Sequence, residues 1–440
     1  MITDLKPYGE YKETEYDWLG EVPKHWERIT VRSITELSNV RNGTRDDLEL
    51  LSVYREYGVI KKSSRDDNHN VESQDLSNYK FVDDGYLVLN KMKMWQGSLG
   101  VSKYQGIVSP AYIVCKLIGN LNSKYVHYLL RSSSFKTVYN RISYGVRVGQ
   151  WDMRYDDFKN IILYLPSIEE QNQIVKYLDS RLAKINRLIS ARKRQIALLK
   201  EQVNTLTNQA ITVDGINKQR LTNVSIQSRD WIKRQDDQEY VSIGLLNRGR
   251  GIFHKSSILG SDLGDSEFYI VENNALIFSG QFAWEGAVAL TEEKDKDCIS
   301  SHRYYMIRGI EGIAKNEYLW AFFRTKYGEL LLNSNSRGAA GRNRPLNMNS
   351  LLKEYIPLPS MAYQEKISRE VKVLLHFIKE VNRLEGLFKE YSNRLVSDVV
   401  TGKFDVRDLK INELEEIENI YFEEEVDISE EVLDTEECEV

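Results

Sequence analysis

The chain has 440 residues, 41 % of them hydrophobic and 28 % charged, values close to globular averages. At roughly 100–200 residues per domain, this length predicts two to four folding units. The three cysteines, Cys115, Cys298 and Cys438, lie far apart without metal-ligand spacing, which favours a reducing, cytoplasmic location over a disulfide framework. No signal-peptide pattern and no run of about 18 apolar residues occurs, so no membrane span is expected.

The net charge of −5 hides an uneven distribution. Residues 405–440 contain 16 acidic and 2 basic residues, a net of −14, which leaves +9 for residues 1–404. Blocks of like charge usually remain solvated, so the acidic tail is expected to be disordered. The basic remainder is compatible with a partner that presents phosphates.

Residues 1–165 predict a first mixed α/β unit. Short apolar or alternating runs separated by Gly, Asn and Asp predict strands over 48–54, 86–90, 107–117 and 161–165. A helix is predicted over 123–139. From Ile174 to Ala210 apolar residues then recur at steps of four and three that almost all alternate, with Arg192 as an interruption. This spacing predicts a coiled-coil helix within 166–213, about 60 Å long at about 1.5 Å per residue.

The pattern then repeats. Residues 214–356 predict a second unit with strands over 240–246, 275–278, 288–291 and 303–307 and a helix over 315–333. A second heptad-like helix is predicted within 357–404. Pro166 and Pro359 stand just before the two long helices, where proline is tolerated.

Three sequence matches, in the same order and at nearly one offset, support a duplication. Leu165–Gln171 recurs 193 residues later as Leu358–Gln364, and residues 124–131 match residues 317–324 at the same offset. The Trp-Gln-Gly at Trp95 corresponds to the Trp-Glu-Gly at Trp284. We therefore expect an α+β chain in which two mixed α/β domains are separated by two long helices. A duplication implies pseudo-two-fold symmetry, so we expect the helices to pair as an antiparallel coiled coil.

No catalytic or metal-binding motif is found. A phosphate loop, an HExxH zinc motif and a GxSxG nucleophile elbow are all missing, and the six histidines are scattered. Acidic pairs such as Asp46-Asp47 lack a lysine or histidine at a telling spacing. The sequence therefore predicts a protein without an active site, and with no metal or cofactor of its own.

Basic, amide and aromatic residues instead interleave with glycines in loops at matching places of both units. Arginine and lysine can contact phosphates or guanine, and glutamine can read adenine. The alternative role for the two tryptophans is as core or turn aromatics. The candidate DNA-binding residues are Lys91, Lys93, Trp95, Gln96, Arg147, Gln150, Arg248, Arg250, Gln281, Trp284, Arg337, Arg342 and Arg344.

Four segments carry a resemblance to a known family. They are the Trp-Leu-Gly-Glu-Val-Pro-Lys-His-Trp at 18–26, the Leu-Pro-Ser segments at 165–171 and 358–364, and the Val-Thr-Gly-Lys-Phe-Asp-Val at 400–406. With them the chain resembles, over nearly its whole length, the specificity subunit of type I restriction-modification systems.

The resemblance implies two target recognition domains that each read one half of a split double-stranded DNA sequence. It also implies that two methyltransferase subunits with S-adenosylmethionine, and restriction/translocase subunits with ATP and Mg, bind to this non-catalytic subunit. Glu170, Gln171 and Gln364 are then candidates for subunit docking. Because Glu170 is replaced by Tyr363 in the second copy, the two docking surfaces are not expected to be identical.

Three alternatives remain open on the sequence. The chain could serve a related system in which methylation and cleavage reside on one partner polypeptide. It could be a coiled-coil adaptor that binds proteins and no DNA, although the basic body argues against this. A nuclease with a diverged site is disfavoured by the motif search.

Overall fold

The computed structural model describes residues 5–45, 47–55, 57–64, 75–145, 151–213, 215–246, 251–264, 266–338 and 344–410. Within them the chain divides into two compact units. Unit 1 contains the residues up to Ile189 and those from Leu384 onward, and unit 2 contains Ser190–Arg383. Each unit thus takes one part of each long helix.

The described residues of unit 1 form twelve short strands and four short helices before the first long helix. Strands β1 to β12 are Tyr11–Glu13, Glu21–Pro23, Glu27–Thr30, Thr35–Leu37, Leu51–Tyr54, Gly58–Lys61, Lys80–Val82, Leu87–Asn90, Leu99–Val101, Gly106–Val108, Tyr112–Leu117 and Ile162–Leu165. Helices α1 to α4 are Val31–Ile34, Ser123–Arg131, Ser133–Ile142 and Tyr155–Phe158. The first long helix, α5, is Ile168–Ile211.

The described residues of unit 2 form the same numbers of strands and short helices, but one strand precedes the first short helix where unit 1 has three. Strands β13 to β24 are Lys218–Arg220, Ser225–Ser228, Glu239–Tyr240, Ile243–Leu246, Gly251–His254, Ile258–Leu259, Phe268–Ile270, Leu276–Ser279, Val288–Leu290, Ile299–Ser301, Tyr304–Gly309 and Tyr355–Pro357. Helices α6 to α9 are Leu221–Val224, Asn316–Phe323, Lys326–Ser334 and Met348–Leu351. The second long helix, α10, is Met361–Val400.

Both units contain the same antiparallel sheet of four strands. Its order is β4-β11-β8-β9 in unit 1 and β14-β23-β20-β21 in unit 2. The first three residues of the strands β8 and β20 are buried, which explains why they are apolar without alternation. A separate hairpin accompanies each sheet, β5-β6 in unit 1 and β16-β17 in unit 2.

Each unit has its own aromatic core, which includes one part of both long helices. In unit 1, Trp26 and Tyr125 pack with Ile174 of α5 and Val399 of α10. In unit 2, the corresponding core joins residues of α7 to Val203 of α5 and Val371 of α10. The long helices are therefore stabilised mainly by burial of one apolar face.

The two long helices run antiparallel. Within unit 2 the amide of Gln202 donates to the carboxylate of Glu370 at 3.1 Å, and the Arg192 guanidinium lies 5.9 Å from the ring centre of Phe377. Arg192, predicted to interrupt the seam, is exposed. None of the helices in the described part of the chain is long and apolar enough to cross a membrane.

The predicted α+β class with two long antiparallel helices is confirmed, but two helix predictions need correction. The single helix expected over 123–139 is two helices, because Ser132 has an extended backbone between α2 and α3. The helix expected over 315–333 is also two, since the Thr325 side chain caps the start of α8 by accepting from the Gly328 amide.

Two ion pairs, one in each unit, lie at equivalent positions of the repeat. Lys124 of α2 lies 2.9 Å from Asp179 of α5, and Glu317 of α7 lies 3.1 Å from Lys372 of α10. Lys124 and Glu317 occupy equivalent positions 193 residues apart, and so do Asp179 and Lys372. The charge at each of the two positions is reversed between the copies. The attraction between a short and a long helix is therefore preserved although each residue has changed sign.

Candidate nucleic-acid interface

The same tight turn follows the equivalent strand in both units. After β8, Met94–Gln96 form a 3₁₀ turn that ends at Gly97, and after β20, Ala283–Glu285 form one that ends at Gly286. The φ angles of these glycines are 87° and 77°, in the left-handed region that glycine adopts at little cost. The turn holds the central tryptophan of each segment at an equivalent place.

A backbone hydrogen bond ties each turn to the glycine- and arginine-containing loop of the same unit. The Met153 amide donates to the Lys91 carbonyl at 3.0 Å, and the Leu346 amide donates to the Gly280 carbonyl at 2.7 Å. Bridges between Tyr144 and Asp152, and between Ser336 and Leu346, close the bases of these loops. Two candidate segments that are distant in the sequence therefore meet at one corner of each unit.

The first corner cluster consists of Lys91, Lys93, Trp95, Gln96 and Trp151. Lys91 Nζ lies 2.8 Å from an Asp152 carboxylate oxygen, so this lysine also holds the base of the loop. Lys93 is exposed and Gln96 is half-buried. The rings of Trp95 and Trp151 pack edge to face with centroids 5.2 Å apart. This corner thus presents a cation and an amide beside a paired aromatic surface.

The second corner cluster consists of Gln281, Trp284, Arg337 and Arg344. The Arg344 guanidinium lies 4.9 Å from the ring centre of Trp284, and the indole Nε1 of Trp284 donates to the Gln281 carbonyl at 3.1 Å. Arg337 is exposed, and its Nε donates to the Ser334 carbonyl at 3.2 Å. This corner presents guanidinium groups, the commonest readers of phosphate and guanine edges.

The residue that packs on the tryptophan of the turn differs between the two clusters. Trp151 and Arg344 are 193 residues apart and both pack on the tryptophan of their turn. Trp151 was not among the predicted site residues, although the offset of the repeat could have found it. The backbone frame is therefore shared, and the side chains mounted on it are different.

Five predicted contacts lie outside the described residues. They are Arg147, Gln150, Arg248, Arg250 and Arg342. The described ends of their segments are the loop bases given above and the β16-β17 hairpin. The DNA-contact role of all thirteen candidates stays a prediction.

The candidate docking residues Gln171 and Gln364 are buried and make equivalent bonds inside the chain. Gln171 Nε2 donates to the Pro166 carbonyl at 3.0 Å, and its Oε1 accepts from the Asn122 amide at 3.0 Å. Gln364 Nε2 donates to the Pro359 carbonyl at 3.0 Å, and its Oε1 accepts from the Lys315 amide at 2.9 Å. Each glutamine thus fastens the start of a long helix to the loop before a short helix.

Glu170 is also buried, with 6 % of its surface exposed. Its carboxylate accepts from the Tyr8 hydroxyl at 2.8 Å and the Trp26 indole at 3.0 Å, and lies 2.8 Å from His25 Nε2. Tyr363 at the matching position is exposed. Glu170 therefore fixes the N-terminal segment of unit 1, and its contact with another subunit stays a prediction, as for the two glutamines.

The described residues give little support to reactive chemistry. Burial raises the pKa of the Cys115 thiol to about 12, so it is a neutral core residue at ordinary pH. Among the described residues no group of three or more His, Cys, Asp or Glu could hold a metal ion. The polar groups present can donate and accept hydrogen bonds, which suits recognition.

Comparison with known proteins places the chain in a family. The model of the type I restriction modification DNA specificity domain matches twice, at residues 23–198 and 211–385. The chain belongs to this family, and its function is DNA-sequence recognition. A search of the curated proteins finds no match.

One solved structure agrees with this assignment in its fold. The chain is similar, at 12 % identity and a TM-score of 0.52, to a chain from work on complex assembly and conformational transition of the type I R-M system, covering 87 % of this chain and 99 % of that one. It also matches the type I S subunit from M. genitalium (11 % identity, TM-score 0.43, 85 % and 96 % covered). The HsdS subunit from Thermoanaerobacter tengcongensis matches at 14 % identity and a TM-score of 0.41, with 89 % and 99 % covered.

The protein is thus a specificity subunit of a type I restriction-modification system, as the resemblance in the sequence predicted. The family is defined by DNA specificity, and this agrees with the expectation that the chain is not itself an enzyme.

Proposed function

We propose that the two corner clusters are the DNA-reading surfaces and that each reads one half of a split target. The observation that carries this proposal is that the two clusters share their backbone arrangement but display different side chains. The bonds from Met153 to Lys91 and from Leu346 to Gly280 are equivalent, whereas Trp151 is replaced by Arg344. A constant frame with variable donors is what two readers of unlike half-sites require.

The proposal extends to partner subunits. In this scheme two methyltransferase subunits bind S-adenosylmethionine and methylate adenine, and restriction/translocase subunits use ATP and Mg for movement and cleavage. Among the described residues of this chain, no group of three or more His, Cys, Asp or Glu could hold a metal ion for those reactions. One similar structure comes from work on complex assembly in a type I R-M system, which supports the existence of such partners.

Methylation mapping tests the half-site assignment. The chain is co-expressed with the methyltransferase encoded beside it, and modified adenines are mapped across the genome. We expect a two-part sequence, with Lys93→Ala relaxing one part and Gln281→Ala relaxing the other. A base contact is worth about 1–3 kcal/mol, so each variant should lose roughly fivefold or more in discrimination at its own half-site.

The control is Arg383→Ala, on the exposed side of α10 beside Glu380. It should leave both half-sites unchanged. A variant that relaxed both parts together, or a methylation pattern without two parts, would contradict the assignment of one cluster to one half-site.

The alternatives give different results in the same preparation. A single co-purifying polypeptide that both methylates and cuts would indicate the related system with fused activities. Absence of any sequence-dependent DNA binding by the complex would instead favour a coiled-coil adaptor.

A further inference from the structure

Unit 2 contains a cleft of about 370 Å³ beside the second corner cluster. One wall is the hairpin β16-β17, and another is the segment after β20, which includes Gln281 and Phe282. His302 and Arg303 lie at its rim, just before β23. The cleft therefore shares Gln281 with the proposed DNA-reading surface but reaches residues that the sequence did not single out.

Aromatic side chains form much of the lining. Phe253, Phe282 and Tyr304 face the cleft and are half-buried. Phe253 pairs with Gly244 across the hairpin, and a Cβ on Gly244 would come within 2.3 Å of the phenyl ring. The glycine thus lets the ring lie across the neighbouring strand. Burial raises the pKa of Tyr304, so this wall is uncharged.

Cationic and polar groups surround these rings. Lys255, His302 and Arg303 contribute to the cleft and are exposed, and Ser279 and Ser301 add hydroxyl groups. The set combines flat apolar faces with groups that bind phosphate and hydrogen-bond to a base edge.

The rim is fixed to the second corner cluster through one residue. The Gly280 amide donates to the Arg303 carbonyl at 2.6 Å, while the Gly280 carbonyl accepts from the Leu346 amide. A Cβ on Gly280 would approach the Arg303 carbonyl oxygen within 2.5 Å, so a side chain there would disturb the junction. DNA bound at the cluster would therefore lie next to the cleft.

The size of the cleft determines which part of a nucleic acid fits into it. A volume of about 370 Å³ lies in the range of small-ligand pockets, about 300–1,000 Å³. A DNA duplex, whose major groove alone is about 12 Å wide, does not fit into it. A single nucleotide does, because a base rotated out of the stack is held between aromatic side chains in pockets of this kind.

We propose that this cleft receives one unstacked nucleotide of the DNA bound by unit 2. Its base lies among Phe253, Phe282 and Tyr304, with the Gln281 amide at the base edge. Its phosphate lies at Lys255 and Arg303. This inference rests on the proposed function, since it needs the second corner cluster to bind DNA.

The experiment uses duplexes in which one base at a time lacks a pairing partner, so that this base can leave the stack without the free-energy cost of unpairing. The full chain in complex with its methyltransferase is titrated with duplexes of the mapped target, each with an abasic site opposite one base of the half-site read by unit 2. Opposite the captured nucleotide, affinity should rise at least tenfold, because that base is no longer paired.

Cleft variants identify where the base goes. The side chain of Arg303 is exposed, so Arg303→Ala should leave the fold intact. Arg303→Ala and Phe253→Leu should each abolish the gain in affinity at that position. Arg383→Ala should retain the gain. Since Phe253→Leu could affect folding, its thermal midpoint is measured, and Arg303→Ala alone decides if that midpoint falls.

The outcomes separate the two ideas. If the complex reads both half-sites but no position shows the gain, or if the gain persists in Arg303→Ala, the cleft does not hold a base. If the unmodified complex shows no sequence preference at all, the proposed function fails and this inference falls with it.

Discussion

The two corner clusters share a backbone and differ in the side chains they display. In both units a 3₁₀ turn ends at a left-handed glycine and is tied by an amide-to-carbonyl bond to a loop base. Trp151 packs on Trp95 in unit 1, whereas Arg344 packs on Trp284 in unit 2. Backbone bonds do not depend on side-chain identity, so the displayed side chains can change while their support is kept.

The two units also differ at the start of their long helices. Unit 1 closes over the buried carboxylate of Glu170 with three donors from its N-terminal segment, and unit 2 has the exposed Tyr363 at the same place. The start of the long helix is therefore held by buried polar contacts in unit 1, whereas the equivalent side chain in unit 2 faces solvent. Stability should then respond differently to changes at equivalent positions of the two units.

The largest expected effect is at Glu170. Glu170→Ala leaves the Tyr8 and Trp26 donors without an acceptor, so unit 1 should lose about 2–4 kcal/mol of unfolding free energy. Tyr363→Ala, at the exposed equivalent position, should change it by less than about 0.5 kcal/mol. Urea unfolding followed by circular dichroism measures both, and equal losses would remove the asymmetry.

The next effect concerns DNA reading by unit 2. Arg344→Ala removes the guanidinium over Trp284 and should reduce discrimination at one half-site by about 1–3 kcal/mol, if it reads a base. Arg344→Lys should recover little, because an ammonium lacks the planar fork of arginine. If Arg344 binds phosphate instead, all sequences should weaken equally and the salt slope of binding should shrink.

A smaller effect is expected from the reversed ion pairs. Lys124→Glu places a carboxylate beside Asp179, as in unit 2 but without its partner, and should cost about 1 kcal/mol. Adding Asp179→Lys recreates the polarity of Glu317 and Lys372 and should restore most of the loss. A double variant no more stable than the single one would show that these positions tolerate only one polarity.

The smallest effect is a pH dependence at His127. Burial, together with the positive charge of Arg131, lowers the pKa of His127 to about 3, and its Nδ1 accepts from the Val101 amide. The folded state therefore keeps this ring neutral, and its contribution is complete above about pH 6.5 and falls as the unfolded chain takes up a proton. The matching position in unit 2 is Trp320, which does not titrate.

Lowering the pH from about 7 to about 6 should cost about 0.7 kcal/mol through this residue. In His127→Gln, which retains an acceptor without titrating, the loss over the same interval should be smaller by that amount. Thermal midpoints at the two pH values provide the measurement, and identical shifts in both proteins would assign the pH dependence to other groups.

Much of the architecture was predictable because its signals are local. The Leu-Pro-Ser segments, the threes and fours from Ile174 to Ala210 and the paired Trp-x-Gly turns each depend on a few adjacent residues. The breaks at Ser132 and Thr325 were missed, because a helical pattern continues across a residue whose own backbone is extended.

The sequence by itself therefore determined the duplication, the two long helices, the α+β units and the family, since periodicity and short motifs record them directly. Only the tertiary structure decided that Lys91 meets Met153, that Trp151 and Arg344 occupy one place, that Glu170 is buried and that Arg303 borders a cleft. These are contacts between residues far apart in the chain. They depend on how the strands pair and how the loops close, which no local pattern encodes.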